Sequence, residues 1–228
     1  MKSENIFIIV PTYNEAPVIQ ETLQPLIDRG YSVVVVDDGS TDETCENIKQ
    51  MPVHIIRHII NLGQGAALQT GMDYALSRGA GIIVHFDADG QHNPHNIEHL
   101  LRPILEKRVE VALGSRFLNK EHARQVPLAK RSLLRLATLF TIIVSNISLT
   151  DTHNGFRAFS RNAAEQIKII ENRMAHASEI LHQIAKKKLS YTEVPIQVFY
   201  TEYSKNKGQS ISNSINILID FLLGRFLR

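Results

Sequence analysis

The sequence has a single cysteine, Cys45. That excludes an intramolecular disulfide and a multi-cysteine zinc site, and it suits a reducing compartment. Long apolar runs are also missing. Spanning a bilayer takes about 18–20 apolar residues, and the longest uncharged stretch, Leu136 to Thr150, has 15. The opening MKSENIFIIV is too short an apolar run for a signal peptide and lacks a small-residue cleavage site. Charge of neither sign dominates. A net charge of +2 gives no global attraction to nucleic acid, and no nucleic-acid partner is expected. No Gly-Lys-Ser/Thr phosphate loop is present. The Gly63-Gln-Gly65 stretch lacks the third glycine of a dinucleotide fingerprint, because Leu68 stands there. Internal repeats and low-complexity segments are absent.

What is present suits one globular domain. The 228 residues are 43% hydrophobic and 21% charged, enough to bury a sizeable core. Ile6 to Val10 reads as a strand, ended by a Pro-Thr-Tyr-Asn turn, with a helix from about Glu15 to Gly30. Val33 to Val36 is β-branched throughout and reads as a strand buried on both faces. Ser40 and Glu43 have capping-box spacing, so a helix is predicted to open there. Val53 to Ile56 is a short strand. The glycine loop Asn61 to Gly65 leads into a helix with Leu68, Met72 and Ala75 on one face. Ile82 onward is a strand, His95 to Lys107 a helix, and Val109 to Leu113 a strand. Alternation of this kind predicts a mostly parallel sheet with helices on both faces.

Beyond Gly114 the pattern changes. Phe117 to Lys130 is polar and basic, and Ser132 to Ser148 is an apolar helix. A loop from Asp151 leads to a short strand. Two helices follow, near Asn162 to Ile170 and Ala177 to Lys187. Tyr191 to Tyr200 alternates like a strand, and Pro195 suggests a sheet edge. Ser210 to Arg228 is an amphipathic helix. It suits packing on its own domain, an oligomer interface or a bilayer surface.

Two strands stop at acidic residues, Asp37-Asp38 and Asp87-Ala-Asp89. Ligands of α/β sheets bind outside the carboxyl ends of the strands. Residues i and i+2 of an extended segment share a side, so Asp87 and Asp89 can face one hard cation. His92, His95 and His99 offer a weaker metal pattern. His92 is better placed in the strand-end loop beside the carboxylates.

Four motifs stand in order: Pro11-Thr-Tyr-Asn-Glu15, Val36-Asp-Asp-Gly-Ser-Thr-Asp42, Asp87-Ala-Asp-Gly-Gln-His92 and Gly114-Ser-Arg116. Together they resemble family 2 glycosyltransferases of the GT-A fold, in the branch of dolichyl- and undecaprenyl-phosphate sugar transferases. The resemblance spans nearly the whole chain. It implies one domain, residues 1–228, with a nucleotide-sugar half at 1–118 and an acceptor half at 119–228. It implies an inverting transferase with a UDP- or GDP-linked donor. Pro11, Thr12, Tyr13, Glu15, Asp38, Gly65, Asp87 and Ala88 would bind that donor. Asp87, Asp89 and Gln91 would hold Mg²⁺ or Mn²⁺, with Asp89 the direct ligand, because bare carboxylates repel a diphosphate.

The acceptor side carries Arg116, Lys130, Arg131, Arg135 and Arg157 around the apolar helix, with Lys205 and Lys207 in a late basic loop. Cations beside apolar surface suit a polyprenyl phosphate. Asp89, Arg116 and Asp151 are the candidate catalytic residues. A phosphate acceptor needs little general base. A saccharide hydroxyl needs one, for which Asp151 is the candidate. That hydroxyl acceptor, in polysaccharide or lipopolysaccharide assembly, is the alternative enzyme reading. A non-catalytic nucleotide-sugar-binding subunit is the alternative of another class. The expected location is cytoplasmic, peripheral at the inner membrane face. A small membrane-protein partner or a homo-oligomer would suit it.

Overall fold

The computed structural model describes residues 5–119, 147–152 and 154–199. Its strands are β1 (Ile6–Thr12), β2 (Ser32–Asp37), β3 (His54–Arg57), β4 (Ile82–His85), β5 (Val111–Ser115), β6 (Arg157–Ser160) and β7 (Tyr191–Pro195). They form one sheet in the order β3-β2-β1-β4-β6-β5-β7. β6 runs antiparallel to both β4 and β5, while every other pairing is parallel. The mostly parallel α/β sheet expected from the alternation is therefore observed. β7 lies at the edge, where Pro195 has no further strand to serve.

The helices are α1 (Ile19–Asp28), α2 (Thr44–Ile48), α3 (Gln64–Ser77), α4 (Asn96–Leu105), α5 (Arg161–Gln166) and α6 (His176–Lys186). Strand alternation sorts them between two cores. Ile8, Val10, Val35 and Val84 point to the face covered by α1, α2 and α4, through Leu23, Ile48 and Leu100. Ile9, Val34, Val36 and Ile83 point to the other face, covered by α3, α5 and α6 through Met72, Ala164 and Ile180. The continuous apolar runs of β1, β2 and β4 follow from burial on both faces.

Two local expectations are corrected. The helix near residue 40 opens at Thr44, and Ser40 does not cap it. The Ser40 hydroxyl instead accepts the Asn14 amide at 2.9 Å, and Asp42 accepts the Thr44 amide at 3.0 Å. Tying the β1 and β2 turns together takes the side chain that the spacing assigned to a cap. The helix expected over 162–170 stops at Gln166, since the amides of Lys168, Ile169 and Ile170 bond to side chains of Gln183, Gln69 and Glu179. The apolar helix of 132–148, apart from its last residues, and the C-terminal helix of 210–228 lie outside the described residues.

Candidate active site

All strands but β6 stop at one end of the sheet, and the acidic motifs meet there. β4 is buried until the chain turns polar at Asp87. Three elements converge on the Asp87 carboxylate. Gln64, the first residue of α3, donates Nε2–H to Oδ1 at 3.0 Å. The His92 Nε2 lies 3.4 Å from Oδ2. The Asp87 amide points back at His92 Nδ1, also at 3.4 Å. Burial pushes the His92 pKa down to about 4. Its neutral ring therefore has one donor and one acceptor nitrogen, as these two contacts need. The ring stacks on Phe156 with centroids 4.6 Å apart. Gly155 completes the seat, because a Cβ there would stand 2.9 Å from Asp87 Oδ2. Gly155→Ala is expected to displace the carboxylate and weaken Mn²⁺–UDP binding about tenfold, as calorimetry would read it.

Asp89 follows one residue on. Its Oδ1 accepts the Gln91 amide at 3.0 Å, across a turn in which Gly90 takes a positive φ of 72°. Burial raises both carboxyls to about 6, and for Asp89 the neighbouring Asp87 adds to the rise. Glu15 acts on both in the same direction. Acids crowded in this way gain from a cation, so the donor set fits Mg²⁺ or Mn²⁺. Among the described residues no three His, Cys, Asp or Glu side chains converge into a complete metal cluster.

A pH dependence follows, and its sign is fixed by the direction of these shifts. Unfolded carboxylates ionise near about 4. The folded metal-free protein holds its protons up to about 6, so it loses stability as pH rises through that window. Metal reverses the balance, because it binds the ionised pair. The rise in melting temperature caused by Mn²⁺ with UDP is expected in full at pH 7.5 and to vanish by pH 5. Thermal unfolding at both pH values measures it.

Beside the carboxylates lies a buried ion pair. Arg116 follows β5 and Asp151 precedes β6. Arg116 donates Nε–H to Asp151 Oδ2 at 2.6 Å and Nη2–H to Oδ1 at 2.7 Å, and its amide reaches Oδ2 at 3.1 Å. The Asp151 side chain has no exposed surface. Glu193 on β7 pins the loop by accepting the Thr150 and Asp151 amides. Arg157, assigned by the sequence to the acceptor phosphate, lies inside β6 at 2% exposure. It donates to the carbonyl of Asn154 at 3.1 Å. Burial lowers its pKa to about 10, while Asp87 and Asp151 favour its charge. It is a buried counter-charge to those carboxylates. His85 and His176 near it are held neutral, mainly by burial.

On the β1 and β2 side, Pro11 and Thr12 are buried and Tyr13 is exposed. Glu15 is buried, with its amide on the Thr44 hydroxyl at 2.8 Å. The Asp38 carboxylate receives the Leu62 and Gly63 amides at 2.9 and 2.6 Å and His58 Nδ1 at 2.7 Å. It therefore ties down the loop after β3. Ala88 is buried, and its carbonyl accepts the Thr22 hydroxyl. Gly65 follows Gln64 at the start of α3. Its Cβ position lies 2.1 Å from the Glu171 carbonyl, and its amide bonds to that of Asn172 at 2.7 Å, so it is a close-packing glycine. Lys130, Arg131, Lys205 and Lys207 lie outside the described residues. Sequence reasoning missed Gln64, His58, Gly155 and Glu193. Gln64 lies inside the glycine loop and Gly155 inside the loop from Asp151 to Arg157, while His58 and Glu193 stand in no motif the sequence singled out.

Fold and site together define a glycosyltransferase of the GT-A class. The chain belongs to glycosyl transferase family 2, whose family model matches residues 7–168. It is 33% identical over 245 residues to the UDP-N-acetylglucosamine–dolichyl-phosphate N-acetylglucosaminyltransferase of Methanococcus voltae, spanning 98% of this chain and 97% of that one. It is 38% identical to an uncharacterized protein of Methanocaldococcus jannaschii, over 98% of this chain and 93% of that one. The polyprenol monophosphomannose synthase of Mycolicibacterium smegmatis is 29% identical over 73% of this chain and 66% of its own length. Among solved structures, glucosyl-3-phosphoglycerate synthase from Mycobacterium tuberculosis, in complex with Mn²⁺, UDP-glucose and phosphoglyceric acid, superposes with a TM-score of 0.68. That match covers 96% of this chain and 79% of the other, at 18% identity, and speaks for the fold.

Proposed function

We propose that this protein transfers a sugar from a nucleoside-diphosphate donor to a polyprenyl phosphate at a membrane surface, with inversion. The Arg116–Asp151 pair carries this reading. Both Asp151 oxygens are bound to Arg116, so the carboxylate proposed for a hydroxyl acceptor is not placed to take a proton. A lipid phosphate oxygen is already anionic at neutral pH and needs no such base. The names of the archaeal and mycobacterial relatives point to the same acceptor class.

In this reading residues 1–118 bind the donor and residues 119–228 the acceptor, within one domain. The nucleoside lies against Pro11, Thr12, Tyr13 and Glu15, with Ala88 beside the diphosphate. Asp38 shapes that pocket by fixing the loop of residues 58–63. Asp89 holds Mg²⁺ or Mn²⁺ directly, with Gln91 and the gripped Asp87 beside it. When bound, the ion neutralises charge on the departing diphosphate. Arg116, held by Asp151, binds the acceptor phosphate in this reading, a role the sequence also gives to Lys130, Arg131, Lys205 and Lys207. A phosphate oxygen attacks the anomeric carbon as its bond to the diphosphate oxygen breaks. The nucleoside diphosphate leaves with that electron pair.

Among the described residues no helix is long and apolar enough to cross a membrane. In this reading the protein meets its lipid from the surface. A panel of UDP- and GDP-sugars with Mn²⁺, run with and without polyprenyl phosphate, tests the function. Glycolipid formed only when polyprenyl phosphate is present supports it. Product with saccharide acceptors alone overturns it.

A further inference from the structure

Apart from Ile55 on β3 and Leu105, the large aliphatic and phenyl side chains that the described residues leave in water flank one end of the sheet. Ile59, Ile60 and Leu62 follow β3, Leu118 follows β5 and Phe199 follows β7. Ile170 lies on the segment that covers Gly65. Five of them follow strands that stop at the end of the sheet where Asp38, Asp87 and Asp89 lie. The far end is different. Among the described residues it exposes Leu105 and a set of lysines and arginines, Lys107, Arg108 and Lys186 to Lys188. The apolar rim and the active site therefore share one edge.

Its most prominent part is the loop after β3. Ile59 is 99% exposed and Ile60 65%. The loop is held from beneath. Asp38 receives the Leu62 and Gly63 amides. The Ile60 backbone sits so close to Gly39 that a Cβ there would be 2.8 Å away. Two isoleucines held out into water on a tethered loop are unfavourable unless something apolar meets them. A lipid acceptor supplies the reason. Its phosphate stands at a bilayer surface while its chain remains in the hydrocarbon, so the active edge has to approach that surface.

We propose that residues 59–62 enter the headgroup region of a lipid bilayer and seat the active edge upon it. This rests on the reading of the acceptor as a lipid phosphate. The chain has no tryptophan, so Ile59→Trp in the full-length protein is a single fluorescent reporter. It is read with phosphatidylcholine–phosphatidylglycerol vesicles that contain no polyprenyl phosphate. Expected is a blue shift on adding vesicles, and quenching by lipids brominated on their acyl chains. Cosedimentation with vesicles and no shift overturns the proposal, as does no vesicle binding. A shift that follows protein concentration without lipid overturns it in favour of a second copy. Emission already blue-shifted and indifferent to vesicles overturns it in favour of coverage by this chain's own 120–146 or 200–228.

Replacing both isoleucines by serine is expected to lower vesicle partitioning about tenfold or more. The melting temperature should be unchanged, which separates lost docking from lost folding. Transfer to polyprenyl phosphate in detergent tests the acceptor reading by itself. Transfer there without tryptophan insertion sinks only the membrane seat. Insertion without transfer to any lipid phosphate sinks the acceptor reading and leaves the seat standing.

Discussion

Asp89→Asn will lower turnover by about a thousandfold or more and leave the fold intact. A cation at a departing diphosphate contributes several kcal/mol of transition-state stabilisation, and about 4 kcal/mol is a thousandfold in rate. In the proposed reaction Asp89 is the carboxylate that would hold that cation. Asp87 has Gln64 on one oxygen and His92 near the other. Asp89 accepts the single Gln91 amide among the described residues. Removing its charge also relieves the repulsion and burial that raise its pKa to about 6. The metal-free variant should therefore melt no lower than the parent protein. Calorimetry with Mn²⁺ and UDP should show the affinity lost together with turnover. A variant that keeps Mn²⁺–UDP affinity and most of its turnover would remove Asp89 from the metal site.

The second large effect is on stability. Asp151→Ala leaves the Arg116 guanidinium, 9% exposed at its side chain, without its carboxylate. Breaking a buried pair by removing one partner costs about 3–5 kcal/mol. In a domain of this size that is a fall in melting temperature of roughly ten degrees. Asp151→Asn keeps an acceptor oxygen for Arg116 and should fall by less. The two variants separate two roles for this residue. If Asp151 positions Arg116, activity with polyprenyl phosphate should track stability. Asp151→Asn should then keep a measurable rate whose pH profile is unshifted, with the loss mostly in acceptor KM. An Asp151→Asn variant as stable as the parent but inactive would return Asp151 to the role of base.

These expectations differ in how far they were legible beforehand. The Asp-Ala-Asp stretch was visible because a buried apolar strand ended abruptly in carboxylates at alternate positions. Its physics is local, since strand periodicity alone puts Asp87 and Asp89 on one side. Both strands were plain as apolar runs, while their parallel pairing, which brings Thr12 beside Asp38, is seen in the fold. Arg116 and Asp151 are a different matter. They were assigned separate tasks, one to bind phosphate and one to take a proton. Thirty-five positions separate them, and no periodicity links the end of β5 to the loop before β6. The sequence assigns Arg157 to the acceptor phosphate because it is one of five cations clustered around the apolar helix. Its burial follows from β6 entering the sheet between β4 and β5, a crossing that a run of alternating strands and helices does not announce. Ser40 shows the same limit at short range, for the capping-box spacing was present and the Asn14 amide took the hydroxyl.

The sequence by itself determined the class of fold, the family and the strand end where the acidic motifs gather. Each of these rests on patterns within one element or one turn, where side-chain direction is set by the backbone period. Only the tertiary structure decided which groups act on those carboxylates. Gln64 and Gly155 reach Asp87 from a helix and a distant turn, and Arg116 meets Asp151 between the ends of the neighbouring strands β5 and β6. The apolar rim that shares their edge was likewise invisible in the sequence. Isoleucines look the same in a core and on a surface until the packing of the whole chain shows which of them were left outside.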